Sequence, residues 1–258
     1  MNLVLVAIMG MTMTSCMSIN VKDGSVDKTP SQVTEINKVT AMQPFTGVGI
    51  SGAFKVIYEQ GAQHSVRVDA SEQALKEMTV YVKDGELRIR KAVKVTSPSV
   101  SFSNVKIYVT SPDIKDIDLA GSGLFAASNA INAGGDLNME IAGSGKVMLA
   151  DVTCKDTHME IAGSGNIEIG KMVIKDAHAE IAGSGDINMA TLLCNKLSID
   201  IAGSGNVNCE DITADDVDVD IAGSGDVNLK GTVKHHTKDI AGSGKVNIIE
   251  TAAPQPIQ

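Results

Sequence analysis

Carboxylate side chains recur in this 258-residue chain at intervals of about twenty residues. Each stands immediately before an aliphatic residue in a repeated motif. The seven are Asp118, Glu140, Glu160, Glu180, Asp200, Asp220 and Asp239. The densest acidic cluster comprises Asp216, Asp218 and Asp220, beside which the repeat places Asp200. Carboxylate oxygens are ligands that Ca²⁺ prefers. Two interpretations stay open: a Ca²⁺ site, or a solvated acidic face whose neighbouring charges repel by about 0.9 kcal/mol before screening.

Two histidines recur with the same spacing. His158 stands two residues before Glu160, and His178 stands two residues before Glu180. Imidazole nitrogens and carboxylate oxygens together bind transition metals such as Zn²⁺. One hypothesis is therefore a transition-metal site made of these four side chains. The alternative is a solvated outward surface, because the following repeat carries no third histidine.

The motif that positions these residues is the tetrapeptide Ala-Gly-Ser-Gly, which occurs seven times. Successive copies are separated by 22, 20, 20, 20, 20 and 19 residues. Around each copy, apolar and polar residues alternate with period two, which is typical of strands with one buried face. Twenty residues are too few for a propeller blade, and the leucine-rich pattern is missing. The sequence predicts an all-β fold: a parallel, right-handed β-helix with about three strands of three to five residues per coil.

The Gly-Ser-Gly part of each repeat predicts a corner of the coil. Glycine adopts backbone angles closed to other residues and lets neighbouring coils approach closely. The glycines assigned to these corners are Gly143, Gly145, Gly163, Gly165, Gly183, Gly185, Gly203, Gly205, Gly223 and Gly225. A nucleophilic serine would need a following helix with acid and histidine partners. These serines lack that context, so we predict no catalytic residue among them.

Charge and cysteine content narrow the function classes further. The net charge of -9 leaves no basic stripe to neutralise phosphates, so nucleic acid is not an expected partner. Cys154, Cys194 and Cys209 fall at inward positions and are expected to be buried free thiols. Cys154 and Cys194 would lie two coils apart, about 9–10 Å, which is too far for a disulfide.

The first sixteen residues resemble a bacterial lipoprotein signal peptide. An apolar stretch over 3–13, too short to span a bilayer, leads into Thr-Ser-Cys, although no Lys or Arg precedes it. We expect cleavage before Cys16 and lipidation of its thiol, which predicts a lipid-anchored protein of the cell envelope, at the outer membrane. The alternative is an ordinary signal peptide. Residues 17–43 predict a flexible tether and 251–258 a disordered tail.

Residues 44–110 lack the strict repeat and predict a β-rich cap at the N-terminal end, with irregular early coils built into it. We expect strands over 56–59 and 65–69 to pair with each other. Ser71 is the expected N-cap of one short helix. Asp84 and the glycine after it predict a hairpin.

Residues 111–250 are expected to hold the regular β-helix coils. No cap is evident near Ile249. Open ends of a solenoid expose unpaired strand edges. This favours self-association into a homo-oligomer, or covering of the end by the tail.

Several stretches together resemble a known family. They are FTGVGISG at 45–52, SEQAL at 71–75, VKDGELRI at 82–89, and coils of the form IAGSG followed by Asp or Asn, Ile or Val, and Asn. Over about 44–250 the chain is similar to the family "putative auto-transporter adhesin, head GIN domain", common in Bacteroidetes lipoproteins. The resemblance implies a β-helix on an envelope lipoprotein. It brings no catalytic or ligand-binding residues.

Three functions follow as hypotheses. The first is a non-enzymatic, membrane-tethered scaffold or adhesin that binds a surface, a protein or a glycan and needs no cofactor. The second is a binding module that depends on Ca²⁺ held by the stacked carboxylates. The third is a carbohydrate-active β-helix enzyme, which needs a cleft with placed acid and base groups. The even repeat spacing leaves no room for cleft-forming loops, so we expect no enzymatic activity.

Overall fold

The computed structural model describes residues 43–92, 100, 102 and 104–250, together with the backbone of the strand Thr34–Ile36. The predicted signal peptide with Cys16, the predicted tether apart from this strand and residue 43, and the predicted tail over 251–258 lie outside these residues. Within the described part, the chain forms 20 strands and one short helix.

The first half of the elements builds the N-terminal end of the molecule. In chain order they are β1 Thr34–Ile36, β2 Gly47–Ser51, β3 Lys55–Gln60, β4 Ser65–Ala70, α1 Glu72–Lys76, β5 Met78–Lys83, β6 Glu86–Lys91, β7 Lys106–Ser111, β8 Asp116–Gly121, β9 Leu124–Ala127 and β10 Ile131–Asn132.

The second half builds the regular coils. They are β11 Leu137–Gly143, β12 Lys146–Thr153, β13 Asp156–Gly163, β14 Asn166–Val173, β15 Asp176–Gly183, β16 Asp186–Leu193, β17 Lys196–Gly203, β18 Asn206–Gly223, β19 Asp226–Gly242 and β20 Lys245–Glu250. The predicted all-β parallel β-helix is confirmed, with about seven turns.

The regular coils up to Gly203 contain two strands each rather than the three short ones expected, and in the later coils these two are joined into the long strands β18 and β19. The second strand bends instead of breaking. In β14 the buried residues Ile167 and Ile169 are separated by one outward residue, but two outward residues precede the buried Met172. The extra outward residue turns the strand and creates a third side of the coil while the strand continues.

The coils stack in parallel register, and this alignment creates the core. Each residue of β13 pairs with the residue twenty positions later in β15. Inward side chains therefore form continuous columns. The members of one column, Ile141, Ile161, Ile181, Ile201 and Ile221, are at most 2% exposed. Full burial of one such side chain is worth about 1.5–3 kcal/mol, so the columns supply the main stabilisation of the stack.

The three described cysteines lie in this core. Cys154, Cys194 and Cys209 are buried free thiols, which confirms the prediction made for them. Burial raises their pKa values to about 11, 12 and 11 respectively. The thiols are therefore protonated at neutral pH and behave as small apolar residues.

The two glycines of each corner are required for two different physical reasons. Gly143 has a φ of +127°, which side-chain-bearing residues rarely adopt. Gly145 has no positive φ, but a Cβ there would lie 3.0 Å from Leu119 Cδ2 and 3.2 Å from the carbonyl oxygen of Gly123. The first glycine thus permits the turn, and the second permits the close approach of the coil beneath.

A column of asparagines reinforces the stack on its outer surface. The side-chain amide of Asn208 donates to Asn188 Oδ1 at 2.9 Å, Asn228 donates to Asn208 at 2.9 Å, and Asn247 donates to Asn228 at 2.8 Å. These bonds run parallel to the stack axis and link four successive coils. The column is a structural ladder.

The N-terminal region folds around an early coil made of β2 and β3. On one side, β8 and β9 pair in parallel with these two strands. On the other side, β6 and β7 pair with them in parallel. Antiparallel strands then complete this end: β5 pairs with β6, β4 with β7, and β1 with β4. The chain thus builds two layers beneath its first coil before it returns above that coil at β8.

The expected pairing of strands over 56–59 and 65–69 is wrong. These strands exist as β3 and β4, but β7 lies between them, parallel to β3 and antiparallel to β4. The remaining edge of β3 is occupied by β9. Both edges of β3 are therefore taken by strands that are distant in sequence.

Two local predictions for this region are confirmed. Ser71 caps α1, and its Oγ accepts a hydrogen bond from the Ala74 backbone N–H at 3.2 Å. The hairpin between β5 and β6 turns at Asp84 and Gly85, whose φ angles are 55° and 79°. Positive φ at both central residues matches the turn that twists with its strands.

In the last coil, polar residues replace the apolar residues of two inward columns. His236 pairs in register with the buried Val217, and Lys238 pairs with the buried Val219. Both residues are exposed at the end of the stack. Another coil placed on this side would bury an imidazole and an ammonium group. Inward-facing charges are a device that protects open strand edges.

We predict that replacing both polar residues by apolar ones promotes end-to-end association. His236→Val combined with Lys238→Ile restores the aliphatic columns at an open edge, so the variant should show a larger, concentration-dependent mass by size-exclusion chromatography with light scattering. The matched control, His235→Val with Thr237→Ile, adds apolar side chains to outward positions of the same strand. Equal masses for both variants would contradict the edge-protecting role of His236 and Lys238.

Candidate functional site

The seven repeated carboxylates lie side by side on one outer face of the β-helix. The residues in register are Asp118, Glu140, Glu160, Glu180, Asp200, Asp220 and Asp239, paired from coil to coil. We call this set the carboxylate column. Its members are separated by one strand spacing, about 4.8 Å. The expected stacking of acidic groups is therefore present.

The two histidines stack beside this column. Their rings have centroids 5.0 Å apart and are inclined by 12°. His158 Nε2 lies 3.6 Å from Glu160 Oε2, and His178 Nε2 lies 3.9 Å from Glu180 Oε2 and 3.7 Å from Asp200 Oδ2. When protonated, each imidazole would be neutralised by the adjacent carboxylates.

One of the predicted Ca²⁺ ligands, Asp218, already has partners within the protein. Asp218 lies 2.7 Å from Lys196 Nζ and accepts a hydrogen bond from Thr237 Oγ1 at 2.6 Å. These hydrogen bonds lower the pKa of Asp218. Over residues 43–92 and 104–250, no group of three or more His, Cys, Asp or Glu side chains is arranged to hold a metal ion. Cation binding by these residues stays a prediction.

The carboxylate column ends at a notch in the outer surface. Below Asp118, the same column continues through Gly49, Arg88 and Tyr81. In the adjoining outward column, Gly47 occupies the same strand as Gly49. Two outward positions of β2 therefore carry no side chain of their own, and the Glu86 side chain of the neighbouring strand lies against both of them.

A cavity of about 330 Å³ lies over this strand. We call it the glycine notch. Gly49 forms part of its floor. Asp118 and Glu140 bound it on the side of the regular coils, and Arg88 and Arg90 bound it on the side of the N-terminal layers. One wall is thus anionic and the other is cationic.

The Glu86 side chain partly fills the notch. A Cβ added at Gly49 would overlap Glu86 Oε1, and one added at Gly47 would lie 3.3 Å from Glu86 Cγ. Arg88 Nε donates to Glu86 Oε2 at 2.8 Å. On the cationic wall, the Arg90 guanidinium lies 5.1 Å from the centre of the Tyr81 ring. Both arginines are therefore held by neighbouring side chains.

Among the residues of the notch, Asp118 has a carboxyl whose pKa lies far above its ordinary value. Burial, followed by repulsion from Glu140, Glu86 and Asp116, raises the pKa of its carboxyl to about 6. Such shifts arise where a charge is taken out of water among like charges, and they are concentrated at functional sites. Asp118, the member of the carboxylate column with this raised pKa, is the one that lies at the notch.

In the sequence, Asp118 and Glu140 stand out only as members of the repeated column. Gly49, Arg88 and Arg90 were not predicted to be site residues. A usable signal was present: Gly-Val-Gly places glycine at alternate positions of a strand, and Arg-Ile-Arg does the same with arginine. What the pattern could not reveal is that β6 lies beside β2, because that neighbour is distant in sequence.

Ionisation of Asp118 should cost stability at neutral pH. Its pKa is raised in the fold, so the unfolded state loses this proton first, and the free energy of unfolding falls as pH rises from about 4 to about 6. Asp118→Asn should therefore increase that free energy by about 1 kcal/mol at pH 7, after allowance for partial exposure, and change it little near pH 3.5. Urea denaturation at both pH values measures this difference, with Asp200→Asn as the matched control for losing one column charge. Equal effects of Asp118→Asn at the two pH values would contradict the assignment.

The fold is shared with several solved structures. The crystal structure of a putative adhesin from Bacteroides fragilis NCTC 9343 superposes with a TM-score of 0.73 at 21% identity, covering 84% of this chain and 96% of that one. A putative adhesin from Parabacteroides distasonis ATCC 8503 gives a TM-score of 0.67 at 19% identity, covering 85% and 98%. A putative lipid binding protein from the same organism gives 0.59 at 24% identity, covering 84% and 96%.

Sequence comparison gives a consistent family assignment. No curated protein matches the chain. The family model "Putative auto-transporter adhesin, head GIN domain" matches residues 44–210 and 195–255, which include the early coil, the notch and all regular coils. The chain therefore belongs to the "putative auto-transporter adhesin, head GIN domain" family.

Proposed function

We propose that this protein is a non-enzymatic binding module of the cell envelope that presents its β-helix as a rigid, adhesin-like surface to a protein or glycan partner. The observation that carries this proposal is the regularity of the coils. Between β13 and β14 the corner is Ser164 and Gly165, and between β14 and β15 it is Ile174 and Lys175. Within the described regular coils, two-residue corners such as these leave no loops from which a catalytic cleft could be built.

The family assignment supports an envelope location, and a lipid anchor is the mechanism that we propose for it. Cys16 would carry the lipid. Of the predicted tether over 17–43, residues 34–36 form β1 and pair with β4, so only 17–33 would link the lipid to the folded part at the outer membrane, reaching about 20–25 Å as a random coil. Among the described residues, no helix is long and apolar enough to cross a membrane.

Cation-dependent binding is the second candidate, and the carboxylate column is the observation that favours it. Neighbouring members repel one another, and a bound divalent cation would relieve that repulsion. In this version of the proposal, Ca²⁺ would bridge the column and a negatively charged partner.

The anchor is tested by cell fractionation of the full-length protein. Cys16→Ala should move the protein from the membrane fraction to the soluble fraction, because lipidation requires the thiol. Ser15→Ala, which keeps a small residue before the cysteine, is the matched control and should stay with the membrane. Membrane association of the Cys16→Ala protein would refute the anchor.

The binding function is tested on arrays of glycans and envelope proteins, with parallel assays of polysaccharide cleavage. We expect saturable binding without cleavage, equal in Ca²⁺ and in EDTA. Binding that is lost in EDTA, together with a rise in melting temperature on adding Ca²⁺, would establish the cation-dependent candidate instead. Reproducible depolymerisation of any glycan would overturn the non-enzymatic proposal.

A further inference from the structure

The glycine notch differs from the rest of the outer surface because its two walls carry opposite charge. Along the regular coils, the carboxylate column is bordered by a column of alanines, including Ala182, Ala202 and Ala222. At the notch, two strand spacings separate the Asp118 strand from the strand that carries Arg88 and Arg90. That is about 10 Å between backbones, and Asp118, Arg88 and Arg90 all line the cavity between them.

The charges around the notch are only partly neutralised within the protein. Glu86 and Arg88 form a direct ion pair. On the anionic wall, burial and then repulsion from Glu140 raise the pKa of Asp118. On the cationic wall, Arg90 is exposed and lies over the Tyr81 ring. The notch therefore has a negative side that would be stabilised by a cation and a positive side that can accept an anion.

The floor of the notch leaves room for a ligand between these walls. Gly47 and Gly49 both face outwards from β2, whereas the corresponding positions of the next coil are Asp116 and Asp118. A side chain at Gly49 would displace Glu86 from its present position. Glycine at position 49 thus provides the space that the Glu86 side chain occupies, and it keeps the Glu86–Arg88 pair in place. The cavity is the space that remains beside this pair, between Asp118 and Arg90.

We propose that the glycine notch binds a small zwitterion that carries a protonated amine and a carboxylate at its two ends. The amine pairs with Asp118 and Glu140, and the carboxylate pairs with Arg90 beside the Glu86–Arg88 ion pair. A planar guanidinium suits carboxylate binding because its N–H groups match the two oxygens. The proposal goes beyond the adhesive function, since the notch lies at the junction between the first regular coil and the N-terminal layers.

The experiment compares three probes of equal chain length on the full-length protein: 6-aminohexanoate, hexylammonium and hexanoate. Chemical-shift changes of the amides of β2 and β8 report binding at the notch. We expect saturable changes with 6-aminohexanoate at concentrations at least about tenfold below those needed for either singly charged probe, because charged hydrogen bonds at both ends contribute. Equal binding of hexylammonium would indicate a simple acidic attraction, equal binding of hexanoate would indicate an anion site, and no saturation by 6-aminohexanoate would remove the site. Each of these three results overturns the proposal.

Single substitutions test the contributions of the anionic wall, the cationic wall and the cavity to binding. Asp118→Asn and Arg90→Gln should each weaken 6-aminohexanoate binding about tenfold or more, by loss of one charged partner. Gly49→Ala removes no charge but crowds the cavity and shifts Glu86, so it should weaken binding as well. Circular dichroism checks that each variant keeps its β-structure.

The matched control is Asp220→Asn. Asp220 belongs to the same carboxylate column and lines a groove of about 400 Å³ with Glu180, Asp200 and Asp239. That groove has carboxylates and small residues but no guanidinium wall. The substitution should leave 6-aminohexanoate binding unchanged. A loss equal to that of Asp118→Asn would show that any part of the column attracts the probe and would overturn the assignment to the notch.

Discussion

The close approach of successive coils at the Gly-Ser-Gly corners is the constraint on which the regular part of this structure depends. At each corner from Ser144 onwards the serine N–H donates to the carbonyl oxygen of a glycine one coil below; for Ser164 and Gly143 the distance is 2.8 Å. Side chains at the glycine positions would occupy the space of that backbone. With this spacing kept constant, every inward and outward column remains in register over the stack.

That register decides which side chains meet, whether or not their contact is favourable. Asparagines in register form a hydrogen-bonded ladder, and buried isoleucines form a continuous core. Carboxylates in register repel one another, and the fold tolerates this along a solvated face because water and salt weaken the repulsion. At the lower end of the column solvation is reduced, and the raised pKa of Asp118 shows the cost. The glycine notch occupies the same place, where the repeat gives way to the N-terminal layers.

The local and periodic features of the fold could be predicted from the sequence. The repeat spacing predicts parallel coils, the apolar columns locate Cys154 and Cys209 inside, and Asp-Gly predicts the hairpin. The pairing of β3 with β7 could not be predicted, because it joins strands separated by about fifty residues and no repeat links them. The notch was missed for the same reason: its anionic and cationic walls come from β8 and β6, which share no motif. The aligned sequence places His236 and Lys238 in apolar columns. That they protect an open strand edge could not be predicted, because it depends on the structural fact that no described strand pairs beyond them.

The central claim is that glycine at the corners sets the distance between coils, and Gly183 tests it most directly. Gly183 has a φ of +138°, and a Cβ there would overlap the carbonyl oxygen of Gly163. Urea denaturation of Gly183→Ala should show a free energy of unfolding lower than wild type by about 2 kcal/mol or more. The exposed neighbouring substitution Ala182→Ser should stay within about 0.5 kcal/mol of wild type. Equal stability of the two variants would contradict the account.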